Sequence, residues 1–250
     1  MVNVILSGCN GKMGKVISGL ALKRADCQII AGVDLRTDSS FGYPVYSSFS
    51  ELPELNAVIV DFSNPSTLDG LLGYALKNSL PCVLCSTGYS EEQIKKIKEY
   101  SNTIPVFYSG NMSLGINLLI ALSKKAAEVL GGDFDIEIIE KHHNQKVDAP
   151  SGTALMIADA LCDSLSEEPQ YVYDRHSQRK KRSRNEIGIH SVRGGTIVGE
   201  HEVIFAGHDE VVSIKHQAQS KEVFAAGSLN AAIYMADKTG GMYDMSDVLA

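Results

Sequence analysis

Apolar and polar positions in the first part of the chain switch between two periods. Short apolar runs at residues 2–6, 28–33, 57–62, 81–86 and 104–108 have strand length, and the segments 15–22, 66–77 and 91–100 repeat apolar residues at helical spacing. Strand and helix in alternation predict a Rossmann-type, doubly wound parallel sheet, whose ligands sit beyond the C-terminal strand ends. A helix over 114–130 leads out of this unit and is ended by Gly131-Gly132. The pattern then changes. Ile136 and Ile138 alternate as in a strand, Pro150-Ser151-Gly152 opens a helix over 151–165 with Leu155, Ala158, Cys162 and Leu165 at helical spacing, and 186–192, 196–205 and 210–218 alternate between Gly and Asp turns. These predict a second, α+β domain with an open, mostly antiparallel or mixed sheet, whose uncovered face another subunit would cover. A last helix over 223–238 is apolar on most sides and is expected to pack back on the first domain. The expected division is 1–113 with 223–250, and 114–222.

The glycine turn gives the first unit a chemistry. The strand at 2–6 runs into Gly8, Cys9, Asn10, Gly11, Lys12, Met13 and Gly14, where glycines permit a tight turn and close approach of a pyrophosphate to a helix N-terminus. The spacing is GxxGxxG rather than GxGxxG. The second strand ends at Asp34, twenty residues past Gly14, where a carboxylate meets a ribose hydroxyl of a dinucleotide. The turns Ser63-Asn64-Pro65, Ser86-Thr87-Gly88 and Ser109-Gly110-Asn111-Met112 follow strand ends and are expected to line the cofactor.

Composition narrows the classes. The 250 residues carry a net charge of −7, which disfavours nucleic acid as the main partner. The basic run at 175–184, RHSQRKKRSR, reads as a solvated loop before it reads as a nucleic-acid tail. No apolar stretch approaches membrane-spanning length and the first residues lack a basic n-region, so a cytoplasmic setting is expected. Five cysteines fit reduced thiols, and Cys82-x-x-Cys85, without a second pair, reads as two buried strand thiols rather than a zinc site.

The densest chemistry lies between the strand at 136–138 and the helix after Ser151. Lys141, His142, His143, Lys146 and Asp148 are expected in one loop running into a helix N-terminus, an anion trap with two imidazoles and an amine beside it. A bound carboxylate could there also be given a proton. An adjacent His pair is more often a solvated loop or a satisfied core histidine, and it lacks the HExxH spacing of a zinc site, so no metal is expected.

The segment Glu140 to Ala154, EKHHNQKVDAPSGTA, resembles the signature of the 4-hydroxy-tetrahydrodipicolinate (dihydrodipicolinate) reductase family, and further likenesses span the chain: GCNGKMG, DFSNP, CSTGY, SGNMSLGIN, VRGGTIVGEH and GGMYDMSDVL. The resemblance implies reduction of a cyclic dicarboxylate on the diaminopimelate route to lysine, NADH or NADPH as cofactor, and a two-domain homotetramer. It implies His142 as proton donor with Lys146 beside it, His143 as a substrate contact, and Gly152 and Thr153 at a substrate carboxylate. It assigns the cofactor to Gly8, Cys9, Asn10, Gly11, Lys12, Met13, Asp34, Cys85, Ser86, Thr87, Ser109, Gly110, Asn111 and Met112. In two places the chain departs from the family pattern. Leu35 follows the ribose-binding acid where an Arg is common, with Arg36 one place later, and Cys85-Ser86-Thr87-Gly88 replaces GTTG. Asp34 without an adjacent Arg implies a modest preference for NADH. Two rival readings are a non-catalytic nucleotide sensor, against which His142 and Lys146 speak, and a nucleic-acid binder using the basic run.

Overall fold

The computed structural model describes residues 1–38, 40–165 and 168–249, which form two compact units. One comprises Met1–Leu114 together with the chain from Lys221 on; the other is Gly115–Ser220.

The first unit holds β1 (Val2–Ser7), α1 (Lys12–Ala21), β2 (Cys27–Val33), β3 (Val45–Tyr46), β4 (Val58–Asp61), α2 (Leu68–Asn78), β5 (Cys82–Leu84), α3 (Glu91–Ser101) and β6 (Pro105–Tyr108). Its seven-stranded sheet runs β12-β6-β5-β4-β1-β2-β3, where β12 is Gly241–Tyr243, and all its pairings are parallel. The expected doubly wound sheet is therefore present, with β3 and β12 as short edge strands that the hydrophobic pattern did not announce. Period-two alternation sorts the side chains. Val4, Leu6, Val58 and Val60 face Ile17 and Ala21 of α1 and Ala225, Leu229 and Ala232 of α6 (Glu222–Met235), whereas Ile5, Ile59, Cys82 and Leu84 face Leu71, Leu72 and Ala75 of α2 and Ile97 of α3. Each large side chain removed from water in this way contributes about 1.5–3 kcal/mol. Helix α6 lies so close that a Cβ on Gly227 would strike the Met112 carbonyl oxygen, which explains a glycine inside a helix. The closing helix α7 is Met245–Leu249, and residue 250 of the expected C-terminal segment lies outside the described residues.

The second unit contains nearly all of α4 (Leu114–Leu130), then β7 (Asp135–His142), α5 (Gly152–Cys162), β8 (Gln170–Val172), β9 (Glu186–Arg193), β10 (Gly199–Ala206) and β11 (Val211–Ala218). Its sheet runs β11-β10-β7-β9-β8; β10 pairs antiparallel with β11 and β7, whereas β7–β9 and β8–β9 are parallel. It is thus mixed rather than mostly antiparallel, because α5 returns the chain before β8 and residues 173–185 return it again before β9, so that both β8–β9 and β7–β9 run parallel. Ile136, Ile138, Ile187, Ile189, Val203 and Phe205 pack on Leu119 and Ala127 of α4 and on Ala154, Ile157, Ala158 and Leu161 of α5. The buried stripe of α5 is therefore turned from the expected one: Leu155, Cys162 and Leu165 lie at its margin.

The other face of this sheet is largely charged. Glu200 takes Lys141 at 3.4 Å and Lys215 at 3.1 Å, and Glu137 receives Arg175, Arg182 and His190. The run 175–184 is exposed along most of its length, as a solvated loop would be, but two of its arginines are anchored. Arg182 ties that loop to Asp135, Glu137 and the carbonyls of Ile136 and Glu186, and Arg175 bridges Glu137 and Glu186. Among the described residues no helix is long and apolar enough to cross a membrane.

Candidate active site

Alternation along β7 puts Glu140 and His142 on the buried side of the sheet and Lys141 on the charged side. Lys141 and His142 are thus the last residues of the strand, not members of the loop in which they were expected; the strand runs further because β10 and β9 hold it on both sides up to Lys141 and His142. The loop proper starts at His143. It is pinned by Gly194 N–H donating to the His142 carbonyl, Asn144 N–H to that of Gly195, and Lys146 N–H to that of His143. It ends at Ser151, whose Oγ accepts from Ala154 N–H at 3.2 Å and so caps α5. Gly152 and Thr153 form the first turn of that helix, where backbone N–H groups favour anions. Lys146 Nζ lies 2.8 Å from Asp148 Oδ1, and the ammonium draws that carboxylate below its ordinary value.

Glu140 has no exposed surface, and its carboxylate is surrounded by donors. Arg193 grips it with Nη1 on Oε2 at 2.8 Å and Nη2 on Oε1 at 2.7 Å, Ser151 N–H donates at 3.1 Å, and His142 Nδ1 lies 2.6 Å from Oε2. Burial alone would push this acid up, but the bonds from His142 and Arg193 outweigh it and hold it well below the usual carboxylate range. An ionised Glu140 can only accept, so His142 carries its proton on Nδ1 and leaves Nε2 uncommitted. The space beside Nε2 exists because residue 199 is glycine: a Cβ there would lie 3.2 Å from it.

His201 packs edge-on against the His142 ring, centroids 5.2 Å apart, with Nε2 3.2 Å from Ser151 Oγ. Burial, then the neighbouring His142, pushes its pKa down to about 4. A depressed histidine contributes stability that is complete above its unfolded value, about 6.5, and is lost as pH falls toward the folded one. We expect His201→Gln to flatten the stability profile between pH 7 and pH 4.5, read as the change in unfolding free energy in urea. Parallel wild-type and variant profiles would remove His201 as the source.

In the first unit the glycine turn is shaped by necessity at two positions. Gly8 has φ +76° and a Cβ there would sit 2.6 Å from the Phe62 carbonyl oxygen; a Cβ on Gly14 would strike the carbonyl oxygen of Gly8. Gly11 starts α1 with no side-chain cap, so its first N–H groups point into the turn unclaimed by a side chain. Asp34 is folded onto this loop: Oδ2 accepts Asn10 N–H at 2.9 Å and Oδ1 accepts Arg36 N–H at 3.1 Å. Arg36 Nη2 donates to the Asn10 carbonyl at 2.7 Å, whereas Leu35 is 94% exposed. The side chains of Cys9, Cys85 and Met112 are packed into the core, so what these three offer a ligand is backbone. Ser86 and Thr87 follow β5, and Ser109 to Met112 follow β6.

Family models decide what this arrangement belongs to. That for the N-terminus of dihydrodipicolinate reductase matches residues 2–112 and that for its C-terminus matches 115–249. The chain belongs to the dihydrodipicolinate reductase family. Curated 4-hydroxy-tetrahydrodipicolinate reductases of Clostridium novyi and Caldanaerobacter subterraneus are each 53% identical over 249 residues, covering 100% of this chain and 98% of theirs. A dipicolinate-bound dihydrodipicolinate reductase from Paenisporosarcina sp. TG-14 superposes with a TM-score of 0.78 at 23% identity, covering 98% of this chain and 97% of that one.

The structure adds two residues that were not among the expected site residues. Glu140 and Arg193 lie inside the quoted segments, yet neither drew attention. A charged residue at a strand end reads as solvated until pairing in register brings His142 opposite Arg193.

Proposed function

We propose that this chain reduces 4-hydroxy-tetrahydrodipicolinate, the substrate in its relatives' name, to tetrahydrodipicolinate in diaminopimelate and lysine biosynthesis, with a nicotinamide cofactor. The observation that carries the chemistry is His142 held through Nδ1 on buried Glu140, with Nε2 uncommitted beside the capped start of α5. The substrate loses water and gains a hydride and a proton. When bound, the reduced nicotinamide supplies the hydride. Gly8, Gly11 and Gly14 admit its pyrophosphate with the N-terminus of α1, Asp34 holds the adenosine ribose, and Ser86, Thr87 and the loop from Ser109 to Met112 bear on its other half. His142 takes up a second proton at Nε2 and delivers that proton to the substrate, Lys146 balances charge that develops on the substrate, and His143, Gly152 and Thr153 hold a substrate carboxylate. Purified protein mixed with enzymatically generated substrate and either cofactor tests this directly: dihydronicotinamide absorbance falls only if the reading is right.

A modest preference for NADH belongs to the same proposal. Asp34 repels a 2′-phosphate, and Leu35 offers it nothing, while Arg36 stands next to the turn with its guanidinium on Asn10. We expect NADPH to be used at lower kcat/KM, the gap to narrow with salt, and Arg36→Ala to impair NADPH selectively. A wild type favouring NADPH about tenfold, near 1.4 kcal/mol, would show that Asp34 does not discriminate. The reading also has the protein act in the cytoplasm, where its five free thiols stay reduced, and assemble as a homotetramer over the open face of the second sheet, where Val192 and Val211 are exposed. Light scattering reads the latter directly, and a monomer at working concentration would end it.

A further inference from the structure

Asp61 ends β4, one strand from β1 on the side away from β2, and is 1% exposed. Its donors are all uncharged: Ser63 N–H at 3.3 Å, the Ser63 hydroxyl at 2.5 Å, the Ser86 hydroxyl at 2.7 Å and the Tyr89 hydroxyl at 3.4 Å. No Lys, Arg or His of the described residues pairs with it, in contrast to buried Glu140 with its Arg193 fork. Nor do its neighbours take charge at neutral pH, because burial first, and then Asp61 itself, pushes the Tyr89 phenol and the Cys85 thiol up. A buried carboxylate without a cation is costly, and the hydroxyls that solvate it leave its net charge in place.

The strand order says what that charge faces. In a doubly wound sheet the dinucleotide lies across the strand ends where the order reverses, here between β1 and β4. With the adenosine ribose at Asp34 after β2 and the pyrophosphate over the β1–α1 turn, the nicotinamide half falls to the β4 and β5 ends. The reduced ring is neutral there and the oxidised ring is a cation. We propose that Asp61 is the counter-charge for the oxidised nicotinamide, a positioning residue that favours the ring after hydride loss and ties the loops of Ser63 and Ser86 beneath it. This inference rests on the nicotinamide reading given above.

The test measures binding without turnover. Intrinsic fluorescence or calorimetry gives the Kd of NADH, NAD+ and ADP-ribose, which lacks the ring, for wild type and Asp61→Asn. The hydroxyl donors can rotate to suit an amide, so this variant is expected to fold; Asp61→Ser, also neutral, is the second choice if its circular dichroism shows otherwise. The expected result is a ratio of Kd for NAD+ to Kd for NADH about tenfold higher than in wild type, with ADP-ribose affinity within about twofold. Tyr89→Phe, which removes one donor and keeps the charge, should leave the ratio unchanged. An unchanged ratio in the neutral variants overturns the proposal, as does equal weakening of all three ligands. A wild type that binds neither NADH nor ADP-ribose refutes the cofactor reading itself.

Discussion

Replacing Lys146 by methionine should lower kcat by about 10²-fold or more while leaving the fold intact. The structural part follows from exposure. Lys146 pairs with Asp148, whose side chain is 57% exposed, and such a solvated pair contributes about 0–1 kcal/mol. Methionine keeps most of the aliphatic stem, so packing changes little. The kinetic part follows from the proposed role, in which a cation in the loop before α5 acts on charge that the substrate acquires only during reaction. The split between constants separates two roles. A fall in kcat with KM nearly constant is expected of a group acting in the transition state, whereas a raised KM with normal kcat would make Lys146 a mere substrate anchor. His142→Gln should lose about 10²–10⁴-fold, the usual contribution of a placed proton donor, and should also lose the fall in rate toward higher pH that a required proton donor imposes on the pH–rate profile.

How much of this was legible beforehand depended on the range of the cause. The glycine turn, the alternating strands of the first sheet and the helix Leu114–Leu130 are set by neighbours within a few residues, and periodicity showed them. Short edge strands such as Val45–Tyr46 and Gly241–Tyr243 exist because a neighbouring strand offers a partner, and two or three residues carry no period. The site divides in the same way. His142, Lys146 and the start of α5 lie within a dozen residues and were visible as one motif. Arg193 is 53 positions from Glu140 and His201 is 50 from Ser151, so their roles exist only once β7, β9 and β10 are paired. Two residues changed place for a physical reason. Lys141 and His142 looked like loop because polar residues break an apolar run, but β7 is flanked on both sides and extends through them, one buried against Glu140 and one turned to Glu200. The run 175–184 is exposed as a solvated loop would be, and what its sequence did not show is that acids on the open sheet face hold Arg175 and Arg182.

The interior ion pair sets the largest expected loss of stability. Removing Arg193 as Arg193→Met leaves the Glu140 carboxylate in full burial with His142 and the Ser151 N–H as its remaining partners. Breaking a buried pair from one side costs about 3–5 kcal/mol, because the survivor keeps its desolvation penalty and loses its counter-charge. The pH dependence identifies the cause. In wild type the folded-state pKa of Glu140 lies below its unfolded value, so its stabilisation is present above that value and lost as pH falls. In the variant, burial is opposed by His142 and the Ser151 N–H without the guanidinium, so the folded pKa rises from its wild-type position and the group gains more by taking a proton. The difference between wild type and Arg193→Met should therefore be greatest near neutrality and shrink as pH falls through the ordinary carboxylate range. Glu140→Gln combined with Arg193→Met should recover much of the loss, since no charge is then stranded. Urea unfolding of the four proteins of this cycle at two pH values measures each quantity. A single-variant loss under about 1 kcal/mol, the level of a surface pair, would mean that water reaches Glu140 once the guanidinium is gone.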